Sequence, residues 1–239
     1  MKNFIRSLIL FLLVVGCDDD SKVQFNLNSI NNDYEANIEV LYHQVEGKDI
    51  NSKAINETIK REFVKSFSDS GVEVSPNVEA AILAFDEEYK AFKSSFPDNE
   101  LVWQLLVETE ITYISENVIS IAINTYIDTG GAHGNDSIIF MNFNPDTGKL
   151  YALNDIVTDI DALKELAQTY FKKEVMLLEN TESMEDYFFG EPFKLPENIG
   201  FGEDGLIFLY NVYEIASYAE GYTEFQIPYN ELNDLLKIN

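Results

Sequence analysis

Between residues 101 and 127 apolar and polar side chains alternate through LVWQLLVETEITYI and again through NVISIAINTYI, with Ser115-Glu116-Asn117 between them. A period of two broken by a short polar stretch predicts a long antiparallel hairpin, with Trp103, Leu105, Val107, Thr109, Ile111 and Tyr113 on one face. The same alternation predicts strands at 34–42 (YEANIEVLY), 136–143 (DSIIFMNF), 205–213 (GLIFLYNVY) and 222–228 (YTEFQIP). Helical spacing takes over at 50–67, where Ile50, Ala54, Ile55, Ile59, Phe63, Val64 and Phe67 form one apolar stripe. A second helix is expected from Ser75-Pro76 to about Phe92, with Val78, Ile82, Phe85 and Tyr89 inward. Proline is tolerated at such a start because its missing N–H would have had no partner. A third is expected at 159–178, burying Leu163, Leu166, Tyr170, Phe171 and Leu178, and a short last one at 229–237. Pro145 and Gly148 suit a tight turn at 144–149. Strands and helices interleave and hairpin pairing dominates. The expected fold is α+β: a mainly antiparallel sheet with a long central hairpin and helices packed on one face. Two intimately packed subregions are expected, 30–127 and 128–239.

The first residues follow a different pattern. MKNFIRSLILFLLVVGC has a basic start (Lys2, Arg6) and an apolar run from Leu8 to Val15 that is too short to cross a bilayer as a helix. That is the layout of a secretory signal over residues 1–16. The ending Leu13-Val14-Val15-Gly16-Cys17 resembles the lipobox of bacterial lipoproteins, which implies acylation of Cys17 and attachment to a lipid bilayer. Cys17 is the one cysteine of the chain, so no disulfide framework competes for its thiol. Several acyl chains would make the anchor firm, since one alone holds only marginally. Residues 17–29 then read as a lipidated cysteine and acidic tether. Asp18-Asp19-Asp20 resembles the surface-export signal of Bacteroidetes lipoproteins, which implies an outer-membrane lipoprotein exposed at the cell surface. Asp after the cysteine also resembles the inner-membrane retention signal of enterobacteria, so the leaflet stays open.

Charge narrows the partners. Lys and Arg number 16 against 42 Asp and Glu, a net charge of −26. Cleavage before Cys17 removes Lys2 and Arg6, leaving 14 basic against 42 acidic side chains, or −28. Phosphate binding needs a basic face, so nucleic acid is excluded as a partner. A field of this sign favours cationic partners instead. At 46% hydrophobic residues the chain still has ample material for a core.

The stretch richest in candidate chemistry is TGGAHGND, 129–136, where glycines surround one of only two histidines. No HExxH or HxxxH accompanies His133, no G-x-S-x-G elbow lies near Ser137, and the glycines lack phosphate-loop spacing. Gly130, Gly131 and Gly134 read more simply as backbone turns at a strand end, with His133 packing or capping the loop. Asp155, Asp159 and Asp161 read as helix-start carboxylates rather than calcium ligands. No catalytic constellation, metal set or cofactor site is expected. Glu108 and Glu110 share one strand face, a pairing that could serve glycoside cleavage, so a cell-wall glycan-acting hydrolase or deacetylase is the alternative function. Tyr210, Asn211, Tyr213, Glu214, Tyr218 and Tyr222 are either a binding surface or the core of the last strands. Together with Gly130, Gly131, His133 and Asn135 they form the candidate ligand-binding set.

Residues 195–236, LPENIGFGEDGLIFLYNVYEIASYAEGYTEFQIPYNELNDLL, resemble the signature of the domain of unknown function 3298 family. Leu206, Phe208, Tyr210, Asn211, Tyr213 through Ala216, Tyr218, Ala219, Gly221, Glu224 and Ile227 through Tyr229 carry the resemblance. The GGAHG loop, the turn at 144–149 and Leu153-Asn154-Asp155 match upstream parts of that family. Residues of about 30–127 resemble its companion 4163-type region. Val212 and Ser217 depart from it, standing where the family has prolines. The resemblance implies an extracytoplasmic envelope domain. One relative, the anti-sigma factor RsiV, binds lysozyme through its outer domain, and another carries the region beside a polysaccharide deacetylase domain. The expected function is therefore a lipid-anchored envelope binding protein for lysozyme, another cationic protein or a cell-wall glycan.

Overall fold

A computed structural model describes residues 23–30, 33–47, 49–67, 77–176, 184 and 187–238. The signal segment, Cys17, Ser75-Pro76 and Leu178 lie outside these residues. The chain runs through β1 (Phe25–Ile30), β2 (Asn37–Val45), α1 (Ile50–Phe67), α2 (Val78–Ser95), β3 (Gln104–Ile114), β4 (Ile119–Asp128) and β5 (Asn135–Phe143). It continues through α3 (Leu153–Ile156), α4 (Ile160–Tyr170), β6 (Asn198–Phe201), β7 (Gly205–Tyr210), β8 (Thr223–Pro228) and α5 (Tyr229–Leu232). The fold is α+β, as the alternating and helical spacings predict.

Strands β1 to β5 form one sheet in chain order, antiparallel except for the parallel pair β2·β3. That exception follows from connectivity: α1 and α2 lie between the two strands, and a crossover of this kind returns the chain in the same direction. The β3–β4 hairpin is central and turns at Ser115–Val118, with a register shift between Ile111 and Tyr113. Both helices cover one face. Ile55, Ile59 and Phe63 of α1 and Ile82, Phe85 and Tyr89 of α2 pack against Val40, Leu105, Ile121, Ile123 and Phe143. At roughly 1.5–3 kcal/mol for each fully buried large side chain, this layer is a major source of stability.

The second sheet, β6-β7-β8, is antiparallel and carries its own core, in which Leu163, Ala167 and Phe171 meet Phe208, Tyr210 and Phe225. Polar side chains join the two sheets. Asn142 donates from Nδ2 to the Ile199 carbonyl at 2.8 Å, and Asn198 Oδ1 accepts from the Phe140 amide at 3.2 Å. Ser120 donates to Asn142 Oδ1 and accepts from the Phe201 amide. Gly200 is required at this seam, because a Cβ there would run into the Phe140 ring.

The structure departs from the expected elements at six points. Residues 25–29, expected within the tether, pair together with Ile30 against β2 as an edge strand. The segment expected as one helix over 159–178 leaves α-helical geometry at Phe171, where a π-helical turn runs to Met176. Strand 205–213 stops at Tyr210, and the helix at 229–237 is a single turn, Tyr229–Leu232, followed by turns and a bridge from Leu236 to Val157. Strand β6 was not expected at all, since four residues of NIGF are too short to show a period. The dividing line also moves: β5 pairs with β4, so the first sheet extends to Phe143 rather than ending near 127.

Candidate functional site

The β4–β5 hairpin is closed by TGGAHG. Asp128 Oδ1 accepts the Gly130 amide at 2.8 Å, and Gly130 takes a φ of 90° to complete the turn. Gly134 is buried against the Tyr126 ring and admits no Cβ. The loop thereby holds His133 out from the sheet. Its Nδ1 lies 2.7 Å from the Gly134 carbonyl, an acceptor only, so Nδ1 carries the proton. Nε2 is then the acceptor for the Tyr213 hydroxyl at 3.1 Å. The Tyr218 ring stacks on the imidazole with centroids 3.6 Å apart, and its hydroxyl donates to the same Gly134 carbonyl. Tyr213 is 54% exposed and holds a φ of 66°, a strained conformation for a bulky residue.

Tyr222 lies beside this group. Burial, then the charge of Asp136, then Tyr218 push its hydroxyl up to about 12. Burial, then Asp128 and Asp136, raise Tyr126. The glycine-rich loop and the tyrosine-rich tail, 80 residues apart, thus form one exposed aromatic surface edged by carboxylates.

Three of the candidate residues do other work. Tyr210 is fully buried, its hydroxyl donates to the Lys194 carbonyl at 2.6 Å, and burial with the Glu214 charge raises its pKa, so it presents nothing to a ligand. Asn211 grips Ile138, donating from Nδ2 to its carbonyl and accepting its amide at Oδ1, both at 2.8 Å. Glu214 accepts the Asn211 amide at 2.9 Å and the Glu197 amide at 3.0 Å. Gly131 and Asn135 are exposed at the loop and the start of β5.

Glu108 and Glu110 are exposed and project from the sheet face opposite the helices. Among the described residues no three His, Cys, Asp or Glu side chains converge to hold a metal ion. Tyr126 and Asp136 belong to the surface without standing in the candidate ligand-binding set. Hairpin register is the signal in the sequence that finds them, since it sets Tyr126 opposite Asp136.

Residues 143–230 match the family model for the protein of unknown function DUF3298, and residues 28–136 match the model for deacetylase PdaC. A DUF3298 domain and a PdaC-type region therefore stand side by side in the chain, over the segments where the sequence resembles them. The fold is that of a DUF3298 family member from Bacteroides fragilis, 20% identical, with a TM-score of 0.67 over 90% of this chain and 93% of that one. It is also that of a DUF3298 family protein from Pseudomonas aeruginosa, 18% identical, with a TM-score of 0.63 over 90% and 94%. No curated protein matches the chain.

Proposed function

We propose that this chain, a PdaC-type region followed by a DUF3298 domain, is a lipid-anchored envelope protein that binds a cationic macromolecule. Lysozyme is the first partner to test. The observation that carries the reading is the single surface built from His133, Tyr213, Tyr218 and Tyr222 beside Asp136. Exposed tyrosines combine contact area with a polar end and few rotatable bonds, which suits them to interfaces. Net charge of −26 steers a basic partner towards them. The strain at Tyr213 adds a second reason, because backbone strain kept by an exposed aromatic residue is most readily understood as serving contact.

The test is calorimetric titration with lysozyme at low and high salt, with an equally basic unrelated protein as control. Exposed charge alone is screened within about 8 Å at physiological ionic strength, so a specific interface keeps affinity where the control loses it. Equal binding of both proteins, abolished by salt, would overturn the reading. Tyr213→Gly separates contact from folding. Relieving the positive φ should leave the melting midpoint unchanged or higher, while affinity falls by roughly tenfold or more, as for an interface aromatic. The anchor is tested apart from the ligand: Cys17→Ala should give unprocessed precursor or soluble protein. A processed variant that still partitions with membranes would refute the anchor.

The glycan-acting alternative draws on the solvent-facing pair Glu108 and Glu110. It predicts turnover of peptidoglycan by the purified protein, lost in Glu108→Gln.

A further inference from the structure

The face of the first sheet that the helices leave free is covered only in part. Over β4 and β5 the second sheet packs on it, at Ser120, Phe140 and Asn142. Over β2, the first half of β3 and the far end of β4, Leu41, Glu39, Glu108 and Asn124 stay exposed. Strand register sets the side chains of this open part in two rows. One runs Glu39, Leu106, Tyr126, Asp136, each the cross-strand partner of the next, and the other runs Leu41, Glu108, Asn124. A shallow cleft of about 260 Å³ lies over these rows, and no lysine or arginine lines it. None of Glu39, Glu108 or Asp136 takes part in the ion pairs found among the described residues. Leu41 keeps 40% of its surface in water at the β2 end of its row.

We infer that this open sheet face docks an arginine or lysine side chain of a basic protein, the alkyl stem lying along Leu41 and Leu106 and the cationic head over Tyr126 between Glu39, Glu108 and Asp136. The inference rests on the binding role proposed above and extends its surface from the tyrosines onto the open sheet. Its chemistry is complementary at both ends. Long basic side chains cover apolar surface with their methylenes while the head seeks water or a counter-charge. An aromatic face attracts the head as well. A cation here would answer carboxylates that now lack one. Burial already pushes Asp136 up, and burial together with Glu110 does the same to Glu224 on the neighbouring β8. The aromatic surface at Tyr218 and Tyr222 borders the cleft at Asp136, so one partner could span both.

The probe is nona-arginine, titrated calorimetrically into the full mature chain at about 0.15 M salt, where diffuse attraction is screened. The double variant Glu39→Gln, Glu108→Gln should lose about tenfold or more in affinity, as expected when close charge pairs are removed. The control Glu57→Gln, Glu88→Gln makes the same change in net charge on exposed helix positions and should lose less than about twofold, since its charges are remote. All four glutamates are exposed, and unchanged melting curves will verify folding. Equal losses in the two variants would overturn the inference in favour of a diffuse acidic field. Absence of measurable nona-arginine binding to the wild type would overturn it outright. Lysozyme serves as the second arm. If it fails to bind while nona-arginine binds in a Glu39- and Glu108-dependent way, lysozyme falls as the partner and the docking face stands.

Discussion

Asp86→Ala is expected to cost about 3–5 kcal/mol of folding stability, and to lower the melting midpoint by roughly 10 °C. Asp86 sits on α2 with its side chain fully buried. Its Oδ1 accepts the amides of Glu35 and Ala36 at 2.8 and 2.9 Å, tying the entry to β2 onto the helix, and Lys90 Nζ lies 2.6 Å from Oδ2. Alanine leaves both amides without an acceptor. Hydrogen bonds to a charged group contribute about 1.5–3 kcal/mol each, so two of them set the magnitude. Lys90 is about half exposed and returns to water at little cost, which keeps the estimate from rising further. Asp86→Asn retains an acceptor oxygen but turns an amide N–H₂ towards Lys90, and should cost about half as much.

The same residue makes a pH prediction whose sign can be worked out. Burial pushes the Asp86 carboxyl up, but the Ala36 amide, the Lys90 ammonium and the Glu35 amide outweigh it and hold the pKa below the usual carboxylate value. A group with a depressed folded pKa stabilises the fold above its unfolded pKa, and that contribution is lost as pH falls through the folded value. Stability of the wild type should therefore drop below about pH 4 more steeply than that of Asp86→Asn, in urea melts from pH 7 down to pH 2. Asp136 and Glu224, raised by burial, act in the opposite sense, but they are common to both proteins and cancel in the difference. Parallel pH profiles would refute the ion-pair role.

The regions legible in the sequence are those where one face is buried and the other wet. Strand β3 alternates Leu105, Val107 and Thr109 inside with Glu108 and Glu110 outside, and α1 repeats Ile55, Ile59 and Phe63; both spacings report real burial. Legibility fails where that contrast disappears. Strand β1, FNLNSI, is an edge strand with asparagines in the alternating places and Leu27 in water, so nothing in its pattern separates it from a tether. Strand β7 is buried on nearly every residue, which hid both its end at Tyr210 and the fact that Tyr210 faces the core. The candidate site was half legible for a different reason. Its two segments are each conspicuous, but their meeting depends on the second sheet folding across β5, a long-range contact with no local signature. The acidic rows on the open face were legible only one strand at a time, because register across β2, β3, β4 and β5 is what aligns Glu39 with Asp136.

Asn211 clamps that long-range join at β5, and Asn211→Ala should expose its share. Ile138 lies on β5, the outer strand of the first sheet, where its amide and carbonyl turn away from β4 and meet no strand among the described residues. The Asn211 amide stands in for that strand, accepting from one group and donating to the other at 2.8 Å each. Glu214 in turn fixes the Asn211 backbone. Loss of both bonds, with the backbone groups only partly buried, should cost about 2–4 kcal/mol in chemical denaturation. Asn211→Asp keeps the acceptor for the Ile138 amide but sets a carboxylate against its carbonyl, so it should not rescue the loss. Two further readouts separate this clamp from generic loosening. The Ile138 amide should exchange with solvent much faster in the variant than the Ile121 amide, which lies in the covered centre of the sheet. Tyr213, two residues beyond the clamp, should lose its place beside His133, and the lysozyme binding proposed above should weaken with it. If Ile138 stays protected and stability drops by less than about 1 kcal/mol, the clamp is incidental and the two sheets are held by the Ser120–Asn142–Asn198 seam alone.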